Sequence, residues 1–284
     1  MSKTGLVLEG GAMRGLFTAG IIDVMMRHEV WPDGLIGVSA GAAFGCNMKS
    51  RQIGRAIRYN MRFAKDKRYS GIGSWLKTGN YFNAEFDYHT VPTRYDIFDD
   101  KSFNENPMEF YAVCTDVESG FPVYKRLDEV TDNTYDWIRA SASMPLASKV
   151  VELEGIKLLD GGVSDSIPLE HFEKLGYRRN VVVLTQPDGF VKQPNPLIPI
   201  MRIALRKYPN MIKAMELRHE MYNGQLAYVR QAEAAGRCLV IRPEVKIPIG
   251  HISHDPYEMK KVYDMGTRTG EQYIERIKAF YQKE

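Results

Sequence analysis

The sequence predicts an α/β fold with a central, largely parallel β-sheet that is flanked by helices. Short apolar runs, which are typical of buried parallel strands, alternate with segments of helical periodicity. The first pair is an apolar run at residues 5–8 followed by a helical pattern at 16–28. The second pair is an apolar run at 35–38 followed by a helix rich in small residues at 40–48. A later buried strand is predicted at 181–185.

The middle of the chain has a different pattern. Further strands are predicted at residues 110–115, 122–125, 149–153 and 157–159. The last two form a hairpin, and a helix is predicted at 136–143. Residues 66–107 are rich in Gly, Asn, Asp, Pro and aromatic residues, so we expect them to form an irregular insertion or lid over a sheet edge.

The length of 284 residues suits one large α/β domain better than two independent ones. We expect a core at residues 1–190 that carries the candidate site, and a mostly helical region at 191–284 packed on the same domain. A long helix is predicted at 211–235, ending at Gly236. The final helix should begin with Asp255 as N-cap and Pro256 at its first position, with Glu258 completing a capping box.

Composition excludes several classes of protein. The net charge of +3 gives no case for a nucleic-acid partner. Three cysteines without a CxxC pair argue against a disulfide framework and a structural zinc site, and favour a reducing compartment. The N-terminus has no apolar signal segment, and no apolar run is long enough to span a bilayer. We therefore expect a cytoplasmic protein, with peripheral membrane contact as an open option.

A candidate nucleophile lies in Gly37-Val38-Ser39-Ala40-Gly41, which fits the pattern GxSxG. The motif follows an apolar strand and opens a helix, which is the setting of a nucleophile elbow. Glycines are needed on both sides because side chains there would collide with the neighbouring strand and helix. A helix cap with small packing residues would give the same pattern, so the motif alone leaves that alternative open.

A glycine-rich turn at residues 9–15, Glu-Gly-Gly-Ala-Met-Arg-Gly, lies at another strand-to-helix junction. Backbone N–H groups that point into space there could hold the oxyanion of a tetrahedral intermediate, or a phosphate. The spacing fits neither GxGxxG nor a P-loop. Arg14 in this turn could lie near the site or pair with a surface acid.

A candidate base is Asp160, in the sequence Asp160-Gly161-Gly162 after the apolar residues 156–159. As an isolated tripeptide this is a common turn. At the end of a strand, however, its carboxylate could accept the serine proton directly if the two groups lie within hydrogen-bond reach.

Together the three motifs resemble those of the patatin-like phospholipase family, and the likeness covers about residues 5–185. Residues 140–145, 115–120 and Pro168 agree with it. Two residues depart from the usual pattern. Glu9 stands where the family more often has Asp, and Ala12 stands where many members have a third Gly.

The resemblance implies a three-layer patatin-like fold and a Ser-Asp dyad without a catalytic histidine, metal or organic cofactor. Ser39 would be the nucleophile and Asp160 its only catalytic partner. The implied oxyanion-hole residues are Gly10, Gly11, Ala12 and Met13, with Arg14 in the place of the family's basic residue. The implied motif-supporting glycines are Gly15, Gly37, Gly41, Gly161 and Gly162. The implied substrate is an acyl ester of a lipid, namely a phospholipid, lysophospholipid or acylglycerol.

Three alternatives remain at this stage. An α/β-hydrolase would use a Ser-Asp-His triad, for which His251 or His254 could be proposed. The protein could instead bind a lipid or acyl group without catalysis, or transfer the acyl group to an alcohol. A metal site at the two histidines would lack acid or cysteine companions other than Asp255.

The segment at residues 195–205, followed by Arg206 and Lys207, is the sequence feature that favours membrane contact. Its Met and Ile side chains would turn inward and its basic residues would lie near headgroups. Packing in the protein core would produce the same pattern. The sequence makes no prediction of oligomeric state.

Overall fold

The computed structural model describes residues 2–282 and contains one eight-stranded sheet. Its strands are β1 (Lys3–Leu8), β2 (Gly34–Val38), β3 (Glu109–Asp116), β4 (Pro122–Arg126), β5 (Val151–Leu153), β6 (Ile156–Asp160), β7 (Tyr177–Val183) and β8 (Cys238–Ile241). The order across the sheet is β5-β6-β3-β2-β1-β7-β8, and β4 pairs with β3. The five strands from β3 to β8 in this order are parallel, whereas β4, β5 and β6 pair in antiparallel fashion.

Helices lie on both faces of the sheet. They are α1 (Gly15–Arg27), α2 (Ala40–Lys49), α3 (Arg55–Phe63), α4 (Ile72–Thr78), α5 (Asp100–Glu105), α6 (Thr134–Ser141), α7 (Leu169–Lys174), α8 (Ile198–Ala204), α9 (Pro209–Ala234) and α10 (Pro256–Gln282). A π-helical segment covers Phe86–Tyr95, and 3₁₀ turns cover Ala12–Arg14 and Gly161–Val163. The predicted α/β fold with a largely parallel sheet, flanking helices and a helical C-terminal region is thus confirmed.

The central strands form because both of their faces are buried. Every residue of β2 is buried, as are the residues of β1 after Lys3. Their apolar side chains divide between two cores, one on each face of the sheet. The first core includes α1, α2 and α10, and the second includes α7 and α9. Strands buried on both faces between helical layers are the arrangement expected of a three-layer α/β fold.

The C-terminal region is joined closely to the rest of the molecule. Helix α10 crosses α1 at glycines: a Cβ atom at Gly266 would overlap the carbonyl oxygen of Phe17, and one at Gly20 would overlap that of Tyr263. Strand β8 extends the sheet by pairing with β7. Sequence analysis missed β8 because its apolar run is only four residues long and lies between two long helical patterns.

Residues 66–107 are more regular than predicted, since they contain α4, α5 and the π-helical segment. The glycines, together with Pro92 inside the π-helical segment, conceal the helical periodicity. An aromatic cluster of Phe63, Tyr69 and Phe86 holds this part of the chain together. The segment therefore packs as an ordered layer, and it contributes to a cavity described below.

The ends of the two long C-terminal helices follow the predicted signals, with one correction. Gly236 follows α9 with a φ of 70°, and Pro256 begins α10. Asp255 Oδ1 accepts the N–H of Tyr257 at 2.9 Å. Glu258 does not complete the predicted capping box, because its carboxylate accepts the Ser253 hydroxyl at 2.6 Å, and that hydroxyl accepts the N–H of Asp255 at 3.3 Å.

Candidate active site

Ser39 lies in the tight turn between β2 and α2, with φ 55° and ψ −121°. A positive φ is strained for a residue with a Cβ atom, so the surrounding contacts must hold it. Its N–H donates to Ser141 Oγ at 2.9 Å, and that hydroxyl donates to the carbonyl of Val113 at 2.6 Å. A Cβ atom at Gly41 would lie 2.5 Å from the Leu8 carbonyl oxygen, which explains the small residue there. The motif therefore has the strand-turn-helix geometry that is typical of a nucleophile elbow.

Asp160 is the last residue of β6, which is aligned with β3 so that Asp160 lies opposite Cys114. Its Oδ2 lies 2.6 Å from Ser39 Oγ, and its Oδ1 accepts the N–H of Gly162 at 2.8 Å. Both side chains are buried. The structure thus brings together the two residues that the sequence separates by more than a hundred positions.

Burial raises the pKa of the Asp160 carboxyl above its ordinary value. The hydrogen bond from Ser39, the positive charge of Arg218 and the N–H of Gly162 oppose this rise, because each stabilises the carboxylate. A carboxylate with a raised pKa is a stronger base, so its position and its environment both suit proton transfer from the serine hydroxyl.

The glycine-rich turn passes directly beside Ser39. A Cβ atom at Gly10 would lie 2.9 Å from Ser39 Cβ. Within residues 2–282, the N–H groups of Gly10, Gly11 and Ala12 have no hydrogen-bond acceptor. Three of the candidate oxyanion donors are therefore unpaired beside the candidate nucleophile.

The last two residues of the candidate donor set are engaged differently. The N–H of Arg14 donates to the Gly11 carbonyl at 3.1 Å, and that of Met13 faces the His251 carbonyl at 3.5 Å. Ala12 has a φ of 49°, a region that favours glycine. This backbone angle gives a physical reason for a third glycine at this position of the motif.

Glu9 holds the glycine-rich turn in place through hydrogen bonds to two other segments. Its Oε2 accepts the N–H of Thr185 at 2.5 Å and its Oε1 accepts the hydroxyl of Tyr222 at 2.6 Å. Burial raises the pKa of the Glu9 carboxyl. Because Thr185 follows β7 and Tyr222 lies on α9, the turn is held between the sheet and the C-terminal region.

The supporting glycines after the base are required by close packing. A Cβ atom at Gly161 would overlap the Val113 carbonyl oxygen. One at Gly162 would lie 3.1 Å from Asp160 Oδ1 and 3.3 Å from Arg218 Nη2. The turn therefore contacts both the Asp160 carboxylate and Arg218 of α9, a residue that the sequence alone did not indicate.

The candidate histidines are used elsewhere. His251 Nε2 lies 2.8 Å from Arg14 Nη1. His254 contacts the Ala64 carbonyl at 2.8 Å and the Tyr81 hydroxyl at 2.9 Å. In the described part of the chain neither imidazole forms a hydrogen bond with Ser39 or Asp160. Over the same residues, no group of three His, Cys, Asp or Glu side chains is placed to hold a metal ion.

A largely apolar cavity is lined by Ser39 and by side chains from α2, α3, α6 and residues 80–98. Its aromatic and aliphatic lining includes Phe44, Tyr59, Phe82, Tyr88, Val91 and Ile138. Ala12 and Met13 of the glycine-rich turn also line it. A cavity of this kind suits the hydrocarbon chain of a ligand whose reacting carbon lies at the serine.

A family model described as patatin-like phospholipase matches residues 6–172, which is more than half of the chain. The chain belongs to the patatin-like phospholipase family. This confirms the family resemblance drawn from the three motifs. A second model, described as a domain of unknown function (DUF6363), matches residues 208–282.

Relatives of this patatin-like chain include the uncharacterized protein YjjU of Escherichia coli (strain K12), 32% identical over 200 residues, covering 68% of this chain and 54% of YjjU. Lysophospholipase nte1 of Aspergillus terreus is 25% identical over 309 residues, covering 97% of this chain. The chain spans about half the length of YjjU and 18% of nte1. The crystal structure of VipD from Legionella pneumophila aligns with a TM-score of 0.47 and 11% identity, over 97% of this chain and 67% of VipD.

Proposed function

We propose that this protein is a serine acyl-hydrolase that cleaves the carboxylic ester of an acyl lipid through a Ser39–Asp160 dyad. The 2.6 Å contact between Ser39 Oγ and Asp160 Oδ2, in a buried site beside unpaired N–H groups, carries the proposal. Family membership supports it, as does the printed name of the nte1 relatives. An apolar cavity that Ser39 helps to line supports an acyl substrate.

In the proposed mechanism, Ser39 Oγ attacks the ester carbonyl carbon while Asp160 Oδ2 accepts the hydroxyl proton. The carbonyl oxygen becomes an oxyanion, which the N–H groups of Gly10, Gly11 and Ala12 stabilise. The ester C–O bond then breaks, and the departing alkoxide takes the proton from Asp160. Water, deprotonated by the same carboxylate, attacks the acyl-enzyme and releases the fatty acid and free Ser39.

Phospholipid, lysophospholipid and acylglycerol all have the required ester, and we propose lysophospholipid as the substrate to test first because of the nte1 relatives. The purified protein should be given short-chain esters, lysophospholipids, diacyl phospholipids and acylglycerols, with release of free acid measured. We expect acid release from lysophospholipid that the Ser39→Ala protein lacks. Acyl transfer is the outcome if a second lipid becomes acylated instead, and a binding protein is indicated if no ester is cleaved.

We further propose that residues 1–190 and 191–284 form one catalytic unit. Strand β8 belongs to the same sheet as the strands of the motif region, which supports this. The hydrogen bond from Tyr222 to Glu9 also supports it, because it links α9 to the glycine-rich turn. A cytoplasmic location stays a proposal that is consistent with three buried, free cysteines.

Peripheral membrane contact is proposed for the surface around α8. Met201 packs in the interior, but Leu197, Ile200 and Ile203 are 46%, 55% and 75% exposed, and Arg206 and Lys207 follow them. An exposed apolar ridge beside basic residues suits the surface of an anionic bilayer. Among the described residues, no helix is long and apolar enough to cross a membrane.

We expect Ile203→Asp to reduce binding to vesicles of phosphatidylcholine and phosphatidylglycerol by about tenfold, because an apolar anchor is replaced by an anion. Sedimentation with the vesicles measures this. Leu175→Asp is the matched control, since Leu175 is 41% exposed and lies at the end of α7. Equal binding by both variants and the unmodified protein would remove the support for membrane contact at α8.

A further inference from the structure

Three cations that form no ion pair among the described residues interact with one another, and one of them contacts the turn that follows Asp160. They are Arg14 of the glycine-rich turn, Lys192 of the segment before α8, and Arg218 of α9. Across residues 2–282 none of the three takes part in an ion pair, whereas many other Lys and Arg side chains do. All three are partly buried. Unpaired cations held together in a partly desolvated place are costly unless an anion joins them.

The polar atoms of these three side chains are only partly satisfied. Arg14 Nε is buried and has no acceptor, while its Nη1 contacts His251. Lys192 Nζ lies 4.8 Å from the centre of the Tyr222 ring. Arg218 Nε donates to the Gly162 carbonyl at 2.5 Å, which directs the guanidinium toward the dyad. Some N–H donors of these three side chains therefore remain free to bind a ligand.

Two carboxylates interact with the group, Asp160 with Arg218 and Glu9 with Arg14 and Lys192, and both already accept hydrogen bonds from other residues. Both oxygens of Glu9 accept hydrogen bonds from the protein, one from Thr185 and one from Tyr222. Within the described range, neither carboxylate forms an ion pair with the three cations, so the cluster can still bind an anion.

The position of the cluster separates it from the acyl cavity. Arg218 Nη2 and Asp160 Oδ1 lie in front of the same glycine, Gly162. None of the three cations is among the residues that line the apolar cavity, whereas Ser39 is. If an ester binds at Ser39 with its acyl chain in the cavity, its alcohol portion must lie outside the cavity. Arg218 lies beside the dyad and outside the cavity, and it interacts with the other two cations.

We propose that Lys192 and Arg218, with Arg14, form an anion subsite that binds a phosphate oxyanion on the leaving-group side of the ester. Lys192 and Arg218 lie outside residues 6–172, where the patatin-like model matches. The subsite rests on the proposed function, because it selects among substrates of the same dyad. It favours acyl esters of glycerophosphate over neutral acylglycerols, since only the former carry the complementary charge.

The charge of the subsite should depend on pH. Burial, together with the neighbouring charge of Arg218, lowers the pKa of Lys192 to about 8. The charged and titratable groups that face Lys192 are Arg14, Arg218, His251, Glu9 and Tyr222. A lysine loses its charge as pH rises through its pKa, so affinity for the phosphate substrate should fall above about pH 8. The Lys192→Met protein should not show this fall in affinity.

The test compares an acyl glycerol phosphate with a monoacylglycerol of the same short acyl chain, both below their micelle concentrations. We expect Lys192→Met to lower kcat/KM for the phosphate ester by about 10- to 100-fold and to change that for the neutral ester by less than about threefold. Lys174→Met removes the same charge from an exposed lysine paired with Glu170, and should leave both values unchanged. Glycerol 3-phosphate should inhibit the unmodified protein more strongly than the Lys192→Met protein.

The outcomes separate the subsite from the function on which it rests. Labelling of Ser39 by a neutral fluorophosphonate reports an intact dyad in every variant. If labelling persists but Lys192→Met lowers kcat/KM equally for both esters, or for neither, the proposed subsite is wrong while the proposed hydrolase activity is unaffected. If inorganic phosphate inhibits both esters equally and the ratio of substrates is unchanged, the cations bind a free anion only, which also overturns the proposal. If the unmodified protein cleaves no ester and is not labelled, the proposed function itself has failed.

Discussion

The Ser39→Ala protein is expected to release fatty acid at least about 10⁵-fold more slowly than the unmodified protein, because no other nucleophile can form the acyl-enzyme. Ser39 Oγ is the atom that contacts Asp160 Oδ2. Alanine removes that atom while keeping the Cβ against which Gly10 packs. The measurement is single-turnover release of acid from the best substrate of the panel.

Ser50→Ala is the matched control for this variant. Ser50 is also a buried serine, placed at the opposite end of the same helix, and its hydroxyl contacts Gln52 and the Asn47 carbonyl. It should keep nearly full activity per folded molecule. A loss of less than about tenfold in the Ser39→Ala protein would mean that Ser39 is not the nucleophile.

The Asp160→Asn protein is expected to lose activity by about 10⁴-fold or more, because an amide cannot accept the serine proton. The amide oxygen can still accept the Gly162 N–H, so the geometry of the turn should persist. The change places an asparagine before Gly161, a sequence prone to deamidation, so intact mass must be checked before each assay. Labelling by fluorophosphonate should fall in parallel with turnover.

Asp165→Asn is the matched control for the base. Asp165 is a buried carboxylate near the same 3₁₀ turn, and it accepts hydrogen bonds from Tyr124 at 2.6 Å and Gln225 at 2.6 Å. It forms no hydrogen bond to Ser39, so its replacement should affect stability more than turnover. Similar activity losses in the two variants would argue for a structural role of Asp160.

The pH profile gives an independent check of the base. Asp160 must be ionised to accept a proton, and its pKa is raised by burial. Activity should therefore fall as pH is lowered through that raised pKa, beginning at higher pH than an ordinary aspartate would give.

The strand-and-turn motifs were predictable because their chemistry is local. GxSxG, the glycine-rich turn and Asp160-Gly161-Gly162 each lie where a strand ends, and their glycines are required by contacts that the motif itself implies. The apolar runs of β1 and β2 likewise predicted buried parallel strands. These features depend on neighbouring residues in the sequence, so one sequence was enough to find them.

The rest of the site depends on contacts between distant segments. Arg218 reaches Gly162 from 56 positions away, and Tyr222 reaches Glu9 from 213 positions away. Neither residue lies in a motif, and on a long helix each resembles an ordinary surface or core residue. The short strand β8 was missed for a related reason, since its place is fixed only by pairing with β7.

Peptide mapping of a fluorophosphonate adduct tests the central claim most directly, if it is done on the unmodified protein and on a His251→Ala, His254→Ala double variant. A serine activated by the neighbouring carboxylate alone predicts the adduct on Ser39 in both proteins, at similar rates. An adduct on a different serine, or one on Ser39 that disappears without the two histidines, would contradict it.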